Sequence, residues 1–346
     1  MSEIELTDVR EAHVFDQDVL AEYLNAHVDS YNGPLTVKQF EGGQSNPTFQ
    51  LITPDKTYVM RKQPPGELLP SAHQVDREYR VMHALRDSKV PVPTMYCLCE
   101  DTSVIGTKFY VMDFVKGRVF TDPAMPDSNS AERREAYLNL AGILGELHSI
   151  QPEQVGLEEF GRPGNYYARQ FNRWSKQYLA SKTDELADMD ALMEWLPDNI
   201  PEDDASGIVH GDYRLGNVLV APKGGEIAAV LDWELSTLGP PLRDLAYMCQ
   251  PYSGIPTGGN PLPDNYLELG IPSEQEMLDA YCKTSGRERI EHWDFYVIFN
   301  MFRSASIIQG VYKRGLDGNA ASEKALSFKD AARLISGAGN QRLQSL

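Results

Sequence analysis

Three polar side chains in the second half of the chain have types and spacings that could support phosphoryl transfer. Asp212 precedes Asn217 by five residues, and Asp232 ends an apolar run further on. In phosphoryl transfer from ATP, one carboxylate faces the acceptor hydroxyl, while an amide oxygen and a second carboxylate hold magnesium against the phosphates. Magnesium prefers hard oxygen ligands and keeps several waters, so one Asn and one Asp are enough. The spacing therefore predicts catalytic roles for all three residues, with Asn217 and Asp232 as the Mg²⁺ ligands.

Short apolar runs flank these residues and would position them. Residues 208–209 and 218–220 look like strands on either side of a catalytic loop, and 227–231 looks like the partner strand. A polar turn at 223–226 would join the last two runs. The alternative is an ordinary hairpin whose polar residues cap turns, but a second Asp at the exit of a strand disfavours it.

A glycine-containing loop precedes a strand with two cations in the first hundred residues. Strand-like runs cover 35–40, 47–53 and 57–62. The loop between the first two runs contains four residues predicted to cover the phosphates of ATP: Gly42, Gly43, Gln44 and Ser45. Adjacent glycines let backbone amides approach phosphates without a side-chain clash, although a plain hairpin turn is the alternative.

The strand at 57–62 carries the cation that would hold the nucleotide. Because side chains on a strand alternate between faces, Val59 and Arg61 share one face and Lys62 takes the other. In kinase strands an apolar residue touches adenine, and the cation two positions later holds the α- and β-phosphates. Alternation favours Val59 and Arg61 for these roles, and Lys62 is the alternative if the strand shifts by one residue.

Two further elements would complete the nucleotide-binding set. Residues 71–85 have helical periodicity and carry Glu78, the candidate ion-pair partner of the strand cation; a solvated glutamate is the alternative. Residues 109–114 predict a strand that runs into a glycine turn. There the backbone of Met112 and Asp113 would hydrogen-bond adenine, unless the run is simply a core strand and its turn.

The rest of the chain favours helices. Helical periodicity covers 129–150, 166–182, 183–196, 272–283, 288–314 and 321–337. These elements predict an α+β fold with two lobes, similar to that of protein kinases. Residues 1–113 would form a nucleotide-binding lobe with a small antiparallel sheet and one main helix. Residues 114–346 would form a larger, mostly helical lobe for catalysis and substrate binding.

Composition and charge argue against several partners. The 346 residues include 32 basic and 50 acidic ones, and the formal net charge is −18. This balance disfavours nucleic acid and anionic membrane surfaces, and it is compatible with a cationic substrate. No apolar run reaches transmembrane length, and the first residues lack the pattern of a signal peptide. A cytoplasmic location is therefore expected.

The order of these elements and the residues of their motifs resemble those of the aminoglycoside phosphotransferase-like and choline kinase-like small-molecule kinases. The likeness is carried by His210-Gly211-Asp212, Leu231-Asp232-Trp233-Glu234 and Asp244-Leu245-Ala246. Only twelve positions separate Asp232 from Asp244, too few for the activation segment with which a protein kinase binds a peptide. This spacing favours a small-molecule acceptor. The resemblance implies that Asp244 buttresses the catalytic loop without taking part in the chemistry.

One subgroup of that family is particularly similar. Residues 61–66, 71–73, 173–174 and 309–312 look like the kinase domain attached to the amino end of some acyl-CoA dehydrogenases. The similarity spans about residues 15–335. It implies arginine as the usual strand cation and hydroxyacyl-CoA thioesters among the acceptors. Because no dehydrogenase domain follows, standalone action or a separately encoded acyl-CoA dehydrogenase partner is expected.

Substrate-binding residues are predicted on two helices of the second lobe. The candidates are Arg169, Arg173, Trp174, Arg303 and Tyr312. Their arginines could meet the phosphates of a CoA moiety, although structural salt bridges are the alternative. The functions to be compared are a hydroxyacyl-CoA kinase, an aminoglycoside or amino-alcohol kinase, and a nucleotide-binding pseudokinase that regulates a partner. The intact catalytic set argues against the pseudokinase, and the sequence leaves open whether GTP replaces ATP.

Overall fold

The computed structural model describes residues 6–41, 46–66, 73–161, 164–202, 206–256, 260–319 and 323–346. Its strands are β1 (Leu6–Thr7), β2 (Thr36–Phe40), β3 (Thr48–Ile52), β4 (Thr57–Lys62), β5 (Met95–Cys99), β6 (Phe109–Asp113), β7 (Gly207–Val209), β8 (Val218–Val220), β9 (Ile227–Val230) and β10 (Thr237–Gly239). Its α-helices are α1 (Gln17–His27), α2 (Val75–Leu85), α3 (Ser130–Ser149), α4 (Tyr166–Ser181), α5 (Ala187–Trp195), α6 (Leu242–Met248), α7 (Glu274–Ser285), α8 (Trp293–Leu316) and α9 (Ala331–Gln344).

The chain folds as two compact units. Unit 1 comprises Met1–Val119, Val155–Leu157 and Asn217–Ser236. Unit 2 comprises Phe120–Gln154, Glu158–Gly216 and Thr237–Leu346. Unit 1 therefore includes residues 217–236, which the predicted boundary after residue 113 places in the second lobe.

Unit 1 is built on a six-stranded antiparallel sheet with the order β1-β2-β3-β4-β6-β5. Helix α1 contacts the sheet through Tyr23, whose ring centroid lies 5.4 Å from that of Phe109. Helix α2 contacts it through Glu78, which accepts a hydrogen bond from the hydroxyl of Tyr110. Because consecutive residues of a strand point to opposite faces, the two helices cover opposite faces of the sheet.

A hairpin of β8 and β9 completes the part of unit 1 that carries candidate site residues. Val218 pairs with Val230 in antiparallel register. The N–H of Leu231 donates to the carbonyl of Asn217 at 2.9 Å. Asn217 precedes β8 and Asp232 follows β9, so the two residues lie at the same end of the hairpin, although fifteen positions separate them in the sequence.

Unit 2 is mostly helical. Helix α3 packs against α7, and α8 packs against α4, α6 and α9. Capping boxes at Asn129 and Ser273 begin α3 and α7 by satisfying backbone N–H groups that have no partner within the helix. Helix α8 is buried along most of its length, but it carries Asn300 and Arg303. Neither α8 nor any other helix in the described ranges is long and apolar enough to cross a membrane.

The predicted fold class is confirmed, but four helices begin four or more residues after their predicted starts. The helices predicted to start at residues 71 and 288 begin at Val75 and Trp293. The helix predicted at 183–196 begins at Ala187. The helix predicted at 321–337 is, in its described part, a 3₁₀ segment at Glu323–Phe328 followed by α9 from Ala331. Apolar residues three positions apart suit both helix types, so the periodicity could not locate the start of the α-helix.

Candidate active site

Arg61 of β4 lies among three carboxylates in unit 1. Its Nη1 is 2.9 Å from Oε2 of Glu78, and its Nη2 is 2.9 Å from Oδ1 of Asp232 and 3.8 Å from Oε2 of Glu234. Only 12% of the Arg61 side chain is exposed. A planar guanidinium can bridge two carboxylates in this way because its N–H groups point in fixed, divergent directions. The structure thus brings together the strand cation, the helix carboxylate and the predicted metal ligand.

Glu78 is fully buried, so the alternative of a solvated glutamate is wrong. Its Oε1 accepts a hydrogen bond from Nδ2 of Asn46 at 2.8 Å, and its Oε2 accepts one from the Tyr110 hydroxyl at 3.0 Å. Burial is the largest influence on this carboxyl, and it raises the pKa of Glu78 to about 7. Arg61 and Tyr110 oppose that rise, whereas the negative charges of Asp232 and Glu234 add to it. One guanidinium among three carboxylates leaves this region with an excess of negative charge.

The raised pKa of Glu78 predicts a component of stability that is lost as the pH rises. Its ordinary value is 4.5, so the folded protein holds this proton more tightly than the unfolded chain does. The contribution is fully present below the ordinary pKa and disappears as the pH rises through about 7. A shift of this size corresponds to roughly 3 kcal/mol. Urea unfolding at about pH 5 and about pH 8 tests this. The stability that Glu78 adds at the lower pH should be present in the wild type and absent from Glu78→Gln.

A suitable control for this prediction is Glu226→Gln, because Glu226 is an exposed residue of unit 1. Its free energy of unfolding should follow the wild type across the same pH range. Identical pH dependence in the wild type and Glu78→Gln would contradict the prediction. A Glu78→Gln variant that is less stable than the wild type by the same amount at both pH values would also contradict it, because the two proteins would then share one pH dependence.

Lys62 lies on the face of the sheet opposite to Arg61. Its side chain is buried, and its Nζ is 5.8 Å from the centroid of the Phe15 ring. Burial lowers the pKa of Lys62. The carboxylates of Glu78 and Asp232 are on the other face, so the predicted alternation holds and places Arg61 on the side where α2 supplies its acidic partner.

Asn217 and Asp232 have the chemistry that Mg²⁺ requires. Asn217 is buried immediately before β8, and Asp232 follows β9 with a left-handed backbone, at φ 64°. Asp232 uses Oδ1 for Arg61, and a carboxylate has a second oxygen that can serve a cation. An amide oxygen and a carboxylate are hard donors that suit magnesium together with waters and phosphate oxygens. These two residues fit the predicted Mg²⁺ site.

The predicted adenine contacts lie on adjacent strands. Val59 of β4 is the register partner of Met112 of β6, and both are buried. The N–H of Asp113 donates to the carbonyl of Thr94 at 2.8 Å, so a hydrogen bond from Asp113 to adenine would have to use its own carbonyl. The four residues predicted to cover the phosphates lie outside the described residues: Gly42, Gly43, Gln44 and Ser45.

Asp212 belongs to unit 2, where Arg214 and Tyr247 interact with its carboxylate. Its Oδ2 lies 3.7 Å from Nε of Arg214, and 24% of its side chain is exposed. Its backbone N–H donates to Nδ1 of the buried His210 at 3.2 Å. Burial raises the pKa of Tyr247, and the charge of Asp212 and a hydrogen bond to it add to that rise. Arg214 and Tyr247 were not singled out from the sequence.

Asp244 holds the loop before Asp212, as the sequence resemblance implied. Its buried carboxylate accepts the N–H of His210 at 2.6 Å and the N–H of Gly211 at 3.1 Å. Although burial alone would raise the pKa of Asp244, the His148 ring, whose Nε2 lies 3.8 Å from Oδ2, and the charge of Arg243 lower it. An ionised carboxylate that accepts two backbone N–H groups fixes the backbone direction of the loop.

We expect Asp244→Ala to reduce the free energy of unfolding by about 2–5 kcal/mol, because it leaves two buried N–H groups without an acceptor. Asp244→Asn should lose less, since it keeps one oxygen acceptor. Urea unfolding measures both variants. Asp317→Ala provides a matched control at an exposed ion pair with Lys313, where a change of about 0–1 kcal/mol is expected. A stability of Asp244→Ala within about 0.5 kcal/mol of the wild type would contradict the role of this carboxylate.

Three of the five predicted substrate residues lie together in unit 2. The guanidinium carbon of Arg173 is 5.0 Å from the Trp174 ring, and that of Arg303 is 5.9 Å from it. Both distances are typical of cation–π contacts. Arg169 instead donates to the carbonyl of Gly164, and Tyr312 is buried in α8.

Comparison with known proteins identifies the family. A family model described as a phosphotransferase enzyme family matches residues 36–281. The chain belongs to this phosphotransferase family. Acyl-CoA dehydrogenase family member 10 of Mus musculus is 42% identical to this chain over 321 residues, which cover 92% of the chain and 30% of the mouse protein. The chain thus spans less than half the length of this relative.

Solved structures share the same fold. A crystal structure from Ralstonia eutropha JMP134, described as a candidate aminoglycoside phosphotransferase, has a TM-score of 0.87 and 43% identity, and covers 96% of this chain and 99% of its own. A spectinomycin phosphotransferase crystallised with ADP and spectinomycin has a TM-score of 0.63 and 15% identity, with 95% and 99% coverage. The predicted resemblance to this phosphotransferase family, and to proteins named as acyl-CoA dehydrogenases, is confirmed.

Proposed function

We propose that this protein is an ATP- and Mg²⁺-dependent kinase that phosphorylates a hydroxyl group of a small molecule, with a hydroxyacyl-CoA as the acceptor. The observation that carries the proposal is the contact of Arg61 with both Glu78 and Asp232. A strand cation held by a helix carboxylate, beside a predicted metal ligand, is the arrangement that phosphoryl transfer from a nucleotide uses. The spectinomycin phosphotransferase of similar fold was crystallised with ADP, which supports an adenine nucleotide as the donor.

The proposed mechanism gives each side chain one task. Arg61, oriented by Glu78, binds oxygens of the α- and β-phosphates through its planar N–H groups. Asn217 and Asp232 would hold Mg²⁺, which when bound neutralises phosphate charge. Asp212 accepts a hydrogen bond from the acceptor hydroxyl and takes its proton late in the reaction. The acceptor oxygen forms its bond to the γ-phosphorus as the bond to the β-phosphate oxygen breaks, and ADP leaves.

The acceptor class rests on the relatives. Proteins named as acyl-CoA dehydrogenases match nearly the whole of this chain. Acyl-CoA dehydrogenases are named for acyl thioesters, so a kinase domain similar to part of such proteins would act on a hydroxylated thioester. We extend this to a separately encoded acyl-CoA dehydrogenase as a partner of the present chain. Fold likeness by itself does not fix the acceptor.

The test is mass spectrometry of purified protein incubated with Mg-ATP or Mg-GTP and pooled acceptors. The pools contain hydroxyacyl-CoA thioesters, aminoglycosides, and choline-like or sugar alcohols. A phosphorylated thioester that is missing from the Asp212→Asn reaction supports the proposal. A phosphorylated aminoglycoside or amino alcohol would replace the proposed acceptor by that class. Bound nucleotide with no turnover in any pool would favour a pseudokinase and contradict the proposal.

A further inference from the structure

A small cavity in unit 2 adjoins the side chains that surround Asp212. Its volume is 70 Å³, and its lining includes Arg214 and Tyr247. Both of these side chains interact with the Asp212 carboxylate. A water molecule needs roughly 10–15 Å³ by this type of measure. The cavity could therefore take a group of a few heavy atoms, such as the reacting end of an acceptor.

The charged side chain that lines the cavity is a cation. Among the described residues that line it, Arg214 is the only one with a charged side chain. The remaining lining is aromatic, apolar, hydroxyl or amide, and it includes Phe120, Gln250 and Asn260. Burial keeps Tyr247 neutral by raising its pKa. An ammonium group entering here would meet a guanidinium, although the whole chain is strongly acidic.

Arg214 is placed to bind a ligand rather than to serve only as a partner of Asp212. Its Nε is 3.7 Å from the Asp212 carboxylate, and 47% of its side chain is exposed. At that distance the pair lacks a direct hydrogen bond, so N–H groups of the guanidinium remain available. Gly216 leaves space for it, because a Cβ there would lie 3.1 Å from Nη1.

Distant charge on the surface does not reverse this local preference. At physiological ionic strength, exposed charges more than about 8 Å apart are largely screened. A group inside the cavity therefore responds to Arg214 and Asp212 more than to the formal charge of −18. Of these two residues only Arg214 is among the described residues that line the cavity, so its guanidinium is the charged group that a ligand there would contact.

We propose that Arg214 is a specificity-determining residue for the acceptor. It donates hydrogen bonds to a carboxylate or thioester carbonyl oxygen close to the reacting hydroxyl, and it disfavours ammonium-bearing acceptors such as choline and aminoglycosides. This inference rests on the proposed kinase function for its kinetic test, but its binding test does not. It concerns one residue of the acceptor site and leaves the nucleotide residues of unit 1 unchanged.

The kinetic test compares hydroxybutyryl-CoA with choline and an aminoglycoside in four variants. Arg214→Gln should lower kcat/KM for hydroxybutyryl-CoA roughly 10- to 100-fold, mainly through KM, as expected for one hydrogen bond from a charged donor. Arg214→Lys should recover part of that loss. Arg214→Glu should lower kcat/KM for hydroxybutyryl-CoA further and reduce the ratio of kcat/KM for hydroxybutyryl-CoA to that for choline. Arg289→Glu is the matched control, because that side chain is 79% exposed and pairs only with Glu291 among its described contacts. It should match the wild type.

The binding test uses isothermal titration of hydroxybutyryl-CoA into protein saturated with a non-hydrolysable ATP analogue. Affinity in the wild type that falls in Arg214→Gln and is unchanged in Arg289→Glu supports the inference, even if no acceptor is phosphorylated and the proposed function fails. Three results would overturn it. They are a wild-type preference for choline or the aminoglycoside, an equal loss for every acceptor in Arg214→Gln, and no effect of Arg214→Gln on hydroxybutyryl-CoA binding.

Discussion

Asp212→Asn is expected to reduce turnover by roughly 10²- to 10⁴-fold, the usual contribution of a general base, while ATP affinity stays close to that of the wild type. Asparagine can still accept a hydrogen bond from the acceptor hydroxyl, but it cannot take the proton. The side chain is partly exposed, so the isosteric change should be tolerated by the fold. Initial rates with the acceptor that the wild type phosphorylates measure turnover. Nucleotide titration followed by fluorescence measures ATP affinity.

The control for this variant is Asp264→Asn, an exposed aspartate of unit 2. Its turnover and its ATP affinity should both match the wild type. Retained turnover in Asp212→Asn would remove Asp212 from the role of base. Loss of ATP binding in a variant whose circular dichroism is unchanged would show instead that Asp212 serves the nucleotide, contrary to the mechanism proposed above.

In unit 1, the sequence predicted the orientation of side chains wherever it follows from the local periodicity of a strand or helix. Alternation along β4 separated Arg61 from Lys62, and helical spacing placed Glu78 on the apolar side of α2. These two periodicities act on neighbouring residues, so they can be read from a single chain. They account for the observed contact between Arg61 and Glu78.

Contacts that depend on tertiary packing could not be predicted in the same way. Asn46 reaches the carboxylate of Glu78 from 32 positions away, and nothing in its local sequence indicates a buried partner. Tyr247 follows Asp244 by three residues, which puts both on one side of a short helix. That spacing could have suggested Tyr247 as a residue of the catalytic loop region, but its interaction with Asp212 required the structure.

The fold shows a similar division. The strands and helices have apolar patterns that can be read along the chain, and the predicted fold class is confirmed, whereas the strand order was not predicted. Helix starts were less certain, because 3₁₀ and α-helical turns share the same three-residue spacing. The sequence also could not show that the Asp113 N–H donates to the Thr94 carbonyl, because that hydrogen bond depends on the register between strands that are distant in the sequence.

Asp232→Ala is expected to abolish the Mg²⁺ dependence of ATP binding. The proposed site has only two protein ligands, so removing its one carboxylate should weaken the metal-dependent affinity by at least roughly 100-fold, more than the 10- to 100-fold typical of an outer-shell change. Titration of ATP at a series of Mg²⁺ concentrations measures this. An unaltered Mg²⁺ titration would remove Asp232 from the metal site.

The contact with Arg61 requires a second comparison, because Asp232 also holds the guanidinium at 2.9 Å. Asp232→Asn keeps an oxygen that can accept this hydrogen bond but loses the charge that a metal needs. Glu234→Gln removes a nearby negative charge, 3.8 Å from Arg61, without changing the proposed ligands. If Asp232→Asn loses Mg²⁺ dependence while Glu234→Gln keeps it, the effect belongs to metal ligation. If both lose it equally, the excess of negative charge around Arg61, and not a ligand at Asp232, governs how Mg-ATP binds.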